Sequence, residues 1–157
     1  MPAITPNLWF DTQGKDAAEF YVSVFPNSEI KHVSHYGEAG PRTAGTVMTV
    51  DFVLDGQDYT AINGGPEFTF SEAISLSINC ADQAEVDYYW TKLTDGGEAG
   101  PCGWLKDRYG LSWQVVPAAL RELMHDPDEA RAQRAFAAML QMKKIDVAAL
   151  YAAADQA

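Results

Sequence analysis

In Thr46–Leu54 every second position from Met48 onward is apolar. Met48, Val50, Phe52 and Leu54 fall on one side, and Val47, Thr49, Asp51 and Val53 on the other. A period of two predicts a strand with two unlike faces. Asp55-Gly56 follows, a dipeptide suited to a two-residue hairpin turn, and Gln57–Asn63 reads as the returning strand. Upstream, Ile4–Phe10 predicts a short first strand. Asp16-Ala-Ala-Glu19 has the layout of a capping box, which predicts a helix beginning at Asp16 and stopping before Pro26. Ala17, Phe20, Tyr21, Val24 and Phe25 recur at helical spacing and give it one apolar face. Glu29–Tyr36 reads as a further strand, and the stretch 37–45, GEAGPRTAG, as a loop.

The same order then starts again. Glu72–Cys80 predicts a strand with Ile74, Leu76, Ile78 and Cys80 on one face. Asp82-Gln-Ala-Glu85 repeats the helix-start pattern 66 residues after Asp16, and Asp95-Gly96-Gly97 stops that helix. Gly103–Lys106 and Leu111–Val116 read as a hairpin joined through Asp107, Arg108 and Gly110. Strand, helix and three strands, occurring twice, predict an α+β fold from an internal duplication. Beyond Pro117 the pattern is helical. Asp126-Pro127 is placed at the start of one helix, with Phe136, Met139, Leu140 and Met142 or Lys143 on its apolar edge, and Asp146 starts an alanine-rich last helix. The expected organisation is paired modules over 1–117, divided at about residue 70, and a helical extension over 118–157. The extension should pack on the body or on a second subunit, because alanine-rich helices bury little alone.

Charge narrows the partners. The chain has 157 residues and a formal net charge of −11. That argues against nucleic acid and against anionic membrane surfaces, both of which call for clustered Lys and Arg. No apolar run approaches the roughly 20 residues of a membrane-spanning helix. MPAITPNLWF lacks the basic-then-apolar layout of a signal peptide, so a cytoplasmic location is expected. Cys80 and Cys102 show no CxxC spacing and are read as reduced thiols, with one disulfide as the alternative.

The candidate chemistry lies in Cys102–Pro117, CGWLKDRYGLSWQVVP. Alternation places Trp104, Lys106, Ser112 and Gln114 on one wall, and large aromatics with a few polar groups are the material of a small-molecule pocket. An amphipathic hairpin with a solvated polar face is the alternative. His32 and His35, three residues apart on a strand, are expected on opposite faces and are read as surface or structural side chains. His125 suits a helix C-terminus, and Asp51 a solvent-facing strand position. Gly64-Gly65-Pro66 reads as a crossover between modules, since it opens no helix as a phosphate-binding loop would.

ITPNLWFD, AAEFYVSVFPNS, NGGPEFTFSEAISLSINCADQAEVDYYW, GGEAGPCGWLKDRYGLSWQVVP and LQMKKIDVAAL resemble the PhnB-like group. That group, described as a 3-demethylubiquinone-9 3-methyltransferase domain, is part of the vicinal oxygen chelate, or glyoxalase/bleomycin resistance, superfamily. The resemblance implies two βαβββ modules and a homodimer with concave pockets. In metal-dependent relatives it also implies four ligands, typically His and Glu, on the first and last strands of each module. The corresponding positions here are Asn7, Ala61 or Asn63, Ser75 and Gln114. These carry no imidazole and no carboxylate, so no metal and no other cofactor is expected. What remains is a neutral polar and aromatic set for binding a small molecule: Asn7, Trp9, Asn63, Ser75, Ser77, Trp104, Lys106, Ser112 and Gln114. Lys106 is its one cation, placed either to hold an anion or to reach solvent, while the overall acidity favours a cationic ligand. No residue is singled out as catalytic. The alternatives are a metal-dependent lyase, isomerase or dioxygenase, and a methyltransferase. Against the last, no strand is followed by the glycine-rich turn of a doubly wound S-adenosylmethionine enzyme.

Overall fold

The computed structural model describes residues 3–156. They form two compact units, one ending at Phe70 and the other beginning at Ser71. The first unit holds β1 (Asn7–Phe10), α1 (Gly14–Val24), β2 (Glu29–His35), β3 (Val47–Leu54) and β4 (Gln57–Asn63). Its sheet order is β1-β4-β3-β2, with β1 parallel to β4 and the other neighbours antiparallel. Val50, Phe52, Leu54 and Ala61 are buried on one face, together with Ala17, Ala18, Tyr21 and Val24 of α1. Asp55 (φ 46°) and Gly56 (φ 81°) are both left-handed, as a type I′ hairpin turn requires.

Two expectations for this unit are corrected. The helix starts at Gly14, not at Asp16; its N-cap is Gln13, whose side chain makes no cap bond. The cap comes from across the sheet instead, where Asn63 Oδ1 accepts from Gly14 N at 2.7 Å. Asp16 lies in the first turn, where its charge suits the helix dipole. His32 and His35 share a face. Register shifts between Ile30 and His32, and between Ser34 and His35, pair them with Asp51 and Val47, two positions on the same side of β3.

The second unit holds β5 (Ser75–Cys80), α2 (Gln83–Thr94), β6 (Glu98–Ala99), β7 (Trp104–Lys106) and β8 (Ser112–Pro117). Its sheet order is β5-β8-β7-β6, again with first and last strands parallel, so the topology of the first unit is repeated element for element. Here the capping box forms: Asp82 Oδ1 accepts from Glu85 N at 3.0 Å, and Glu85 Oε2 accepts from Ala81 N at 2.9 Å. β5 begins three residues later than the pattern predicts, and Ile74 is left 72% exposed.

Three helices complete this unit: α3 (Ala118–Met124), α4 (Glu129–Met139) and α5 (Val147–Ala154). Asp128, not Asp126, caps α4, by accepting from Ala130 N and Arg131 N; Asp146 caps α5 as expected. Leu120, Leu123, Ala135, Ile145, Leu150 and Ala154 form a core of their own, with Val116 of β8 packed against it. The buried edge of α4 is therefore Ala135 with Met139, whereas Phe136 and Leu140 stay 40% and 49% exposed. Among the described residues, no helix is long and apolar enough to cross a membrane.

Gly64 explains how the crossover after β4 is held. A Cβ there would overlap the six-membered ring of Trp9, whose Nε1 donates to Gly65 O at 2.9 Å and whose ring meets Phe68 edge-on at 5.0 Å. Gly64→Ala is expected to destabilise the fold by about 1–3 kcal/mol through overpacking, read as a lowered midpoint in urea unfolding at unchanged m-value.

Candidate functional site

The β7–β8 hairpin is organised by one carboxylate. Asp107 is 3% exposed. Its Oδ1 accepts from Tyr109 N (2.8 Å) and Leu111 N (3.1 Å), and its Oδ2 from Trp113 Nε1 (2.8 Å). Its backbone N–H donates to Leu111 O, and its carbonyl accepts from Gly110 N, where φ is +86°. Aspartate suits this place because a short acceptor side chain can bond the backbone two residues ahead and close the turn.

The resulting register pairs Trp104 with Gln114 and Lys106 with Ser112. On the other side of β8, Ser75 pairs with Ser112 and Ser77 with Gln114. Directly paired residues point the same way, so Ser75, Ser77, Trp104, Lys106, Ser112 and Gln114 share one face. The opposite face carries Ile78, Leu105, Trp113 and Val115, all buried. Gln114 Nε2 donates to Ser75 Oγ at 2.9 Å. Lys106 Nζ forms an ion pair with Glu72, and Glu98 stands opposite it on β6. The hydrogen bond from Lys106 holds the Glu72 carboxyl below its ordinary pKa, and the lysine is raised in return.

A cavity of about 520 Å³ opens on this face, walled by Ala99, Pro101, Cys102, Trp104 and Leu105 and edged by Glu72, Glu98 and Lys106. Ser112 lines it, is 1% exposed, and its Oγ has no hydrogen-bond partner among the described residues. A buried hydroxyl without a partner is costly, about 1–3 kcal/mol, and calls for an explanation at that point of the structure. The cavity's outer wall is the turn Pro101-Cys102-Gly103-Trp104, in which Trp104 N donates to Pro101 O at 3.0 Å. Cys102 has φ 58° and Gly103 φ 83°; for a cysteine that conformation costs about 1–2 kcal/mol.

The expected residues of the first unit are placed differently. Asn7 and Trp9 pair with Thr60 and Ile62, on the face away from α1. Asn63 pairs with Phe10 and so lies on the other face, 5% exposed. Its amide accepts from Gly14 N and donates to Thr12 O and Val47 O at 3.2 Å each, which makes it a joint between helix and sheet. Asn7 donates to Thr5 O at 2.9 Å and is exposed. A second cavity, of about 730 Å³, is lined by Asp11, Arg42, Thr43, Val47 and Asn63. Arg42 there pairs with Asp11 at 3.4 Å, and the Asn63 amide is engaged as above. Glu72, Glu98, Pro101 and Cys102 line the cavity without a signal in the residue pattern: Glu72 reads as part of a strand, and nothing marks a cysteine in a left-handed turn.

The metal that relatives of this fold use has no matching donor set here. Among the described residues, no group of three or more His, Cys, Asp or Glu side chains is placed to hold an ion. Ser75 and Gln114 are neutral oxygen and amide groups bonded to each other. Zinc or nickel prefers imidazole, thiolate or carboxylate.

Two βαβββ modules, each with a sheet face turned away from its helix, define the glyoxalase/bleomycin resistance superfamily. Within it, the chain belongs to the 3-demethylubiquinone-9 3-methyltransferase family, whose sequence model matches residues 2–116. It is similar to a putative 3-demethylubiquinone-9 3-methyltransferase, PhnB protein, from Bacillus cereus. The identity is 36% and the TM-score 0.66, over 74% of this chain and 100% of that one. A Pseudomonas aeruginosa protein shares the fold at 20% identity and TM-score 0.62, over 74% of this chain and 98% of that one. So does the fosfomycin resistance protein FosX from Listeria monocytogenes, at 15% identity and TM-score 0.53, over 78% of this chain and 97% of that one. No curated protein matches the chain.

Asp107→Ala leaves the Trp113 indole and two backbone N–H groups without their acceptor, and is expected to cost about 3 kcal/mol in urea unfolding. Cys80 is buried, and burial pushes its thiol up to about 11. Iodoacetamide at about pH 8 is therefore expected to alkylate Cys102 in the folded protein and to reach Cys80 only after unfolding, as peptide mass spectrometry would show.

Proposed function

We propose that the protein binds a small molecule in the cavity at β6, β7 and β8 of the second unit, without a metal. The carrying observation is the buried, unpartnered Ser112 hydroxyl at a cavity walled by Trp104. A ligand with one hydrogen-bonding group meets that hydroxyl, and a flat ring stacks on the indole. The charges select the class. Glu72 already neutralises Lys106, and Glu98 adds a further negative charge beside it. An anion has to break that ion pair; a neutral or cationic aromatic does not, and a cation gains from the indole face. Ser75, Ser77 and Gln114 remain candidates for a wider site on the same face of the second unit. Assembly as a homodimer belongs to the same proposal. Phe68 and Ile74, 64% and 72% exposed, are available for burial between copies, and sedimentation equilibrium tests it.

The family's description names a methyl transfer. The described residues form two mixed four-stranded sheets and not a doubly wound parallel one, and among them no glycine-rich strand-to-helix turn offers a nucleotide the usual seat. Heat released on titrating S-adenosylmethionine into the protein would favour the methyltransferase reading over this one.

Two probes of similar shape and opposite charge test the proposal by calorimetry: N-methylquinolinium and naphthalene-1-sulfonate. The cation is expected to bind, and to lose about tenfold in affinity in Trp104→Ala. Added EDTA is expected to change nothing. Preference for the sulfonate, or loss of binding with EDTA, contradicts the proposal. The pH dependence has a definite sign. Glu72 is held below its ordinary range, so its pair with Lys106 is present above that range and is lost as the pH falls through the lowered value. Cation binding is expected to be flat from about pH 6 to 9 and to weaken in acid, where Lys106 becomes unopposed.

A further inference from the structure

The family's sequence model ends at residue 116, and all of the Bacillus cereus chain is matched by 74% of this one. The helices α3–α5 follow the residues that the family's model matches. Their connection, residues 142–147 between α4 and α5, is tied to the second module at both ends. Met142 O accepts from Cys102 N, and Lys143 O from Gly103 N, at 2.8 Å each. Gln83, the first residue of α2, grips the other end: its Nε2 donates to Ile145 O at 3.0 Å, and its Oε1 accepts from Val147 N at 2.7 Å. Lys144 pairs with Asp87 on the same helix at 2.8 Å.

Cys102 and Gly103 are the central residues of the turn that walls the cavity, and their N–H groups find no acceptor inside the hairpin. The carbonyls of 142 and 143 supply both. Ile145, 1% exposed and part of the core under α3–α5, presses on the same turn. A Cβ on Gly103 would stand 3.1 Å from its Cγ1. The left-handed backbone at Cys102 is thus held by partners outside the hairpin, in the connection before α5, while Pro101 and Cys102 face the cavity.

We infer that residues 142–147 are a positioning strap for the cavity, fixing the Pro101–Gly103 wall and with it the size of ligand this chain accepts. The inference rests on the cavity being the binding site, but its first readout needs no ligand. In full-length Gln83→Ala, hydrogen exchange at the Cys102 and Gly103 amides is expected to speed up about tenfold, while amides in the middle of α2 keep their rates. In the same variant, the ratio of affinities for N-methylquinolinium over the smaller N-methylpyridinium is expected to change by about threefold, because the loosened wall no longer discriminates by size. Ile145→Ala is expected to act in the same direction, and Ile145→Val to restore the wild-type values.

Unchanged exchange in both Gln83→Ala and Ile145→Ala overturns the strap. Faster exchange with an unchanged affinity ratio overturns its role in selection. If the wild-type protein binds neither probe, the cavity reading fails and the selection role falls with it, while the exchange rates still decide whether 142–147 holds the turn.

Discussion

The second module depends on how one buried carboxylate is satisfied. Asp107 accepts from two backbone N–H groups and one indole N–H, and in doing so sets where β7 ends and β8 begins. In a sheet a slip of one residue exchanges the two faces. With this register, Trp113 and Val115 go to the helix side, while Trp104, Lys106, Ser112 and Gln114 go to the other. The cavity and its unpartnered hydroxyl follow from that choice. The first module reaches the same topology by another joint: Asn63 links β4 to the start of α1 and to the carbonyls of Thr12 and Val47.

Much of this was legible from residue patterns. The alternation of β3, the Asp55-Gly56 turn, the Asp82–Glu85 capping box and the repeated order of elements are short-range signals, and each formed as expected. What was not legible depends on a single residue of register or on backbone groups. The two shifts in β2 leave no mark in Glu29–His35, so His32 and His35 appeared to diverge. Asn63 lies one place from the strand position that faces away from the helix, and its neighbour Ile62 takes that position opposite Trp9. Asp16 resembles a cap, but the partner that ties down the start of α1 comes from a strand 49 residues away in sequence. The tie between 142–143 and the Cys102–Gly103 turn is made by main-chain carbonyls, which every residue carries, and no sequence pattern announces it.

On the Trp104 face of the second module, Ser75 and Gln114 bond to each other. Such a pair offers no strong donor to a cation. The strongest local charge, Lys106, is likewise engaged by Glu72. What stays open to a newcomer is the Trp104 face and the apolar turn beside it, with the buried Ser112 hydroxyl in the cavity lining. These features suit recognition by shape, stacking and one hydrogen bond. The connection between α4 and α5 reaches the same turn, so the C-terminal helices bear on one wall of the cavity.

The most direct test of this account is a crystal structure of the protein grown with N-methylquinolinium. The account predicts the ring stacked on Trp104 in the second-module cavity, with the Glu72–Lys106 pair intact and no metal ion at Ser75 or Gln114. Ring density at another surface with this cavity empty, or a metal ion bound at Ser75 and Gln114, would contradict it.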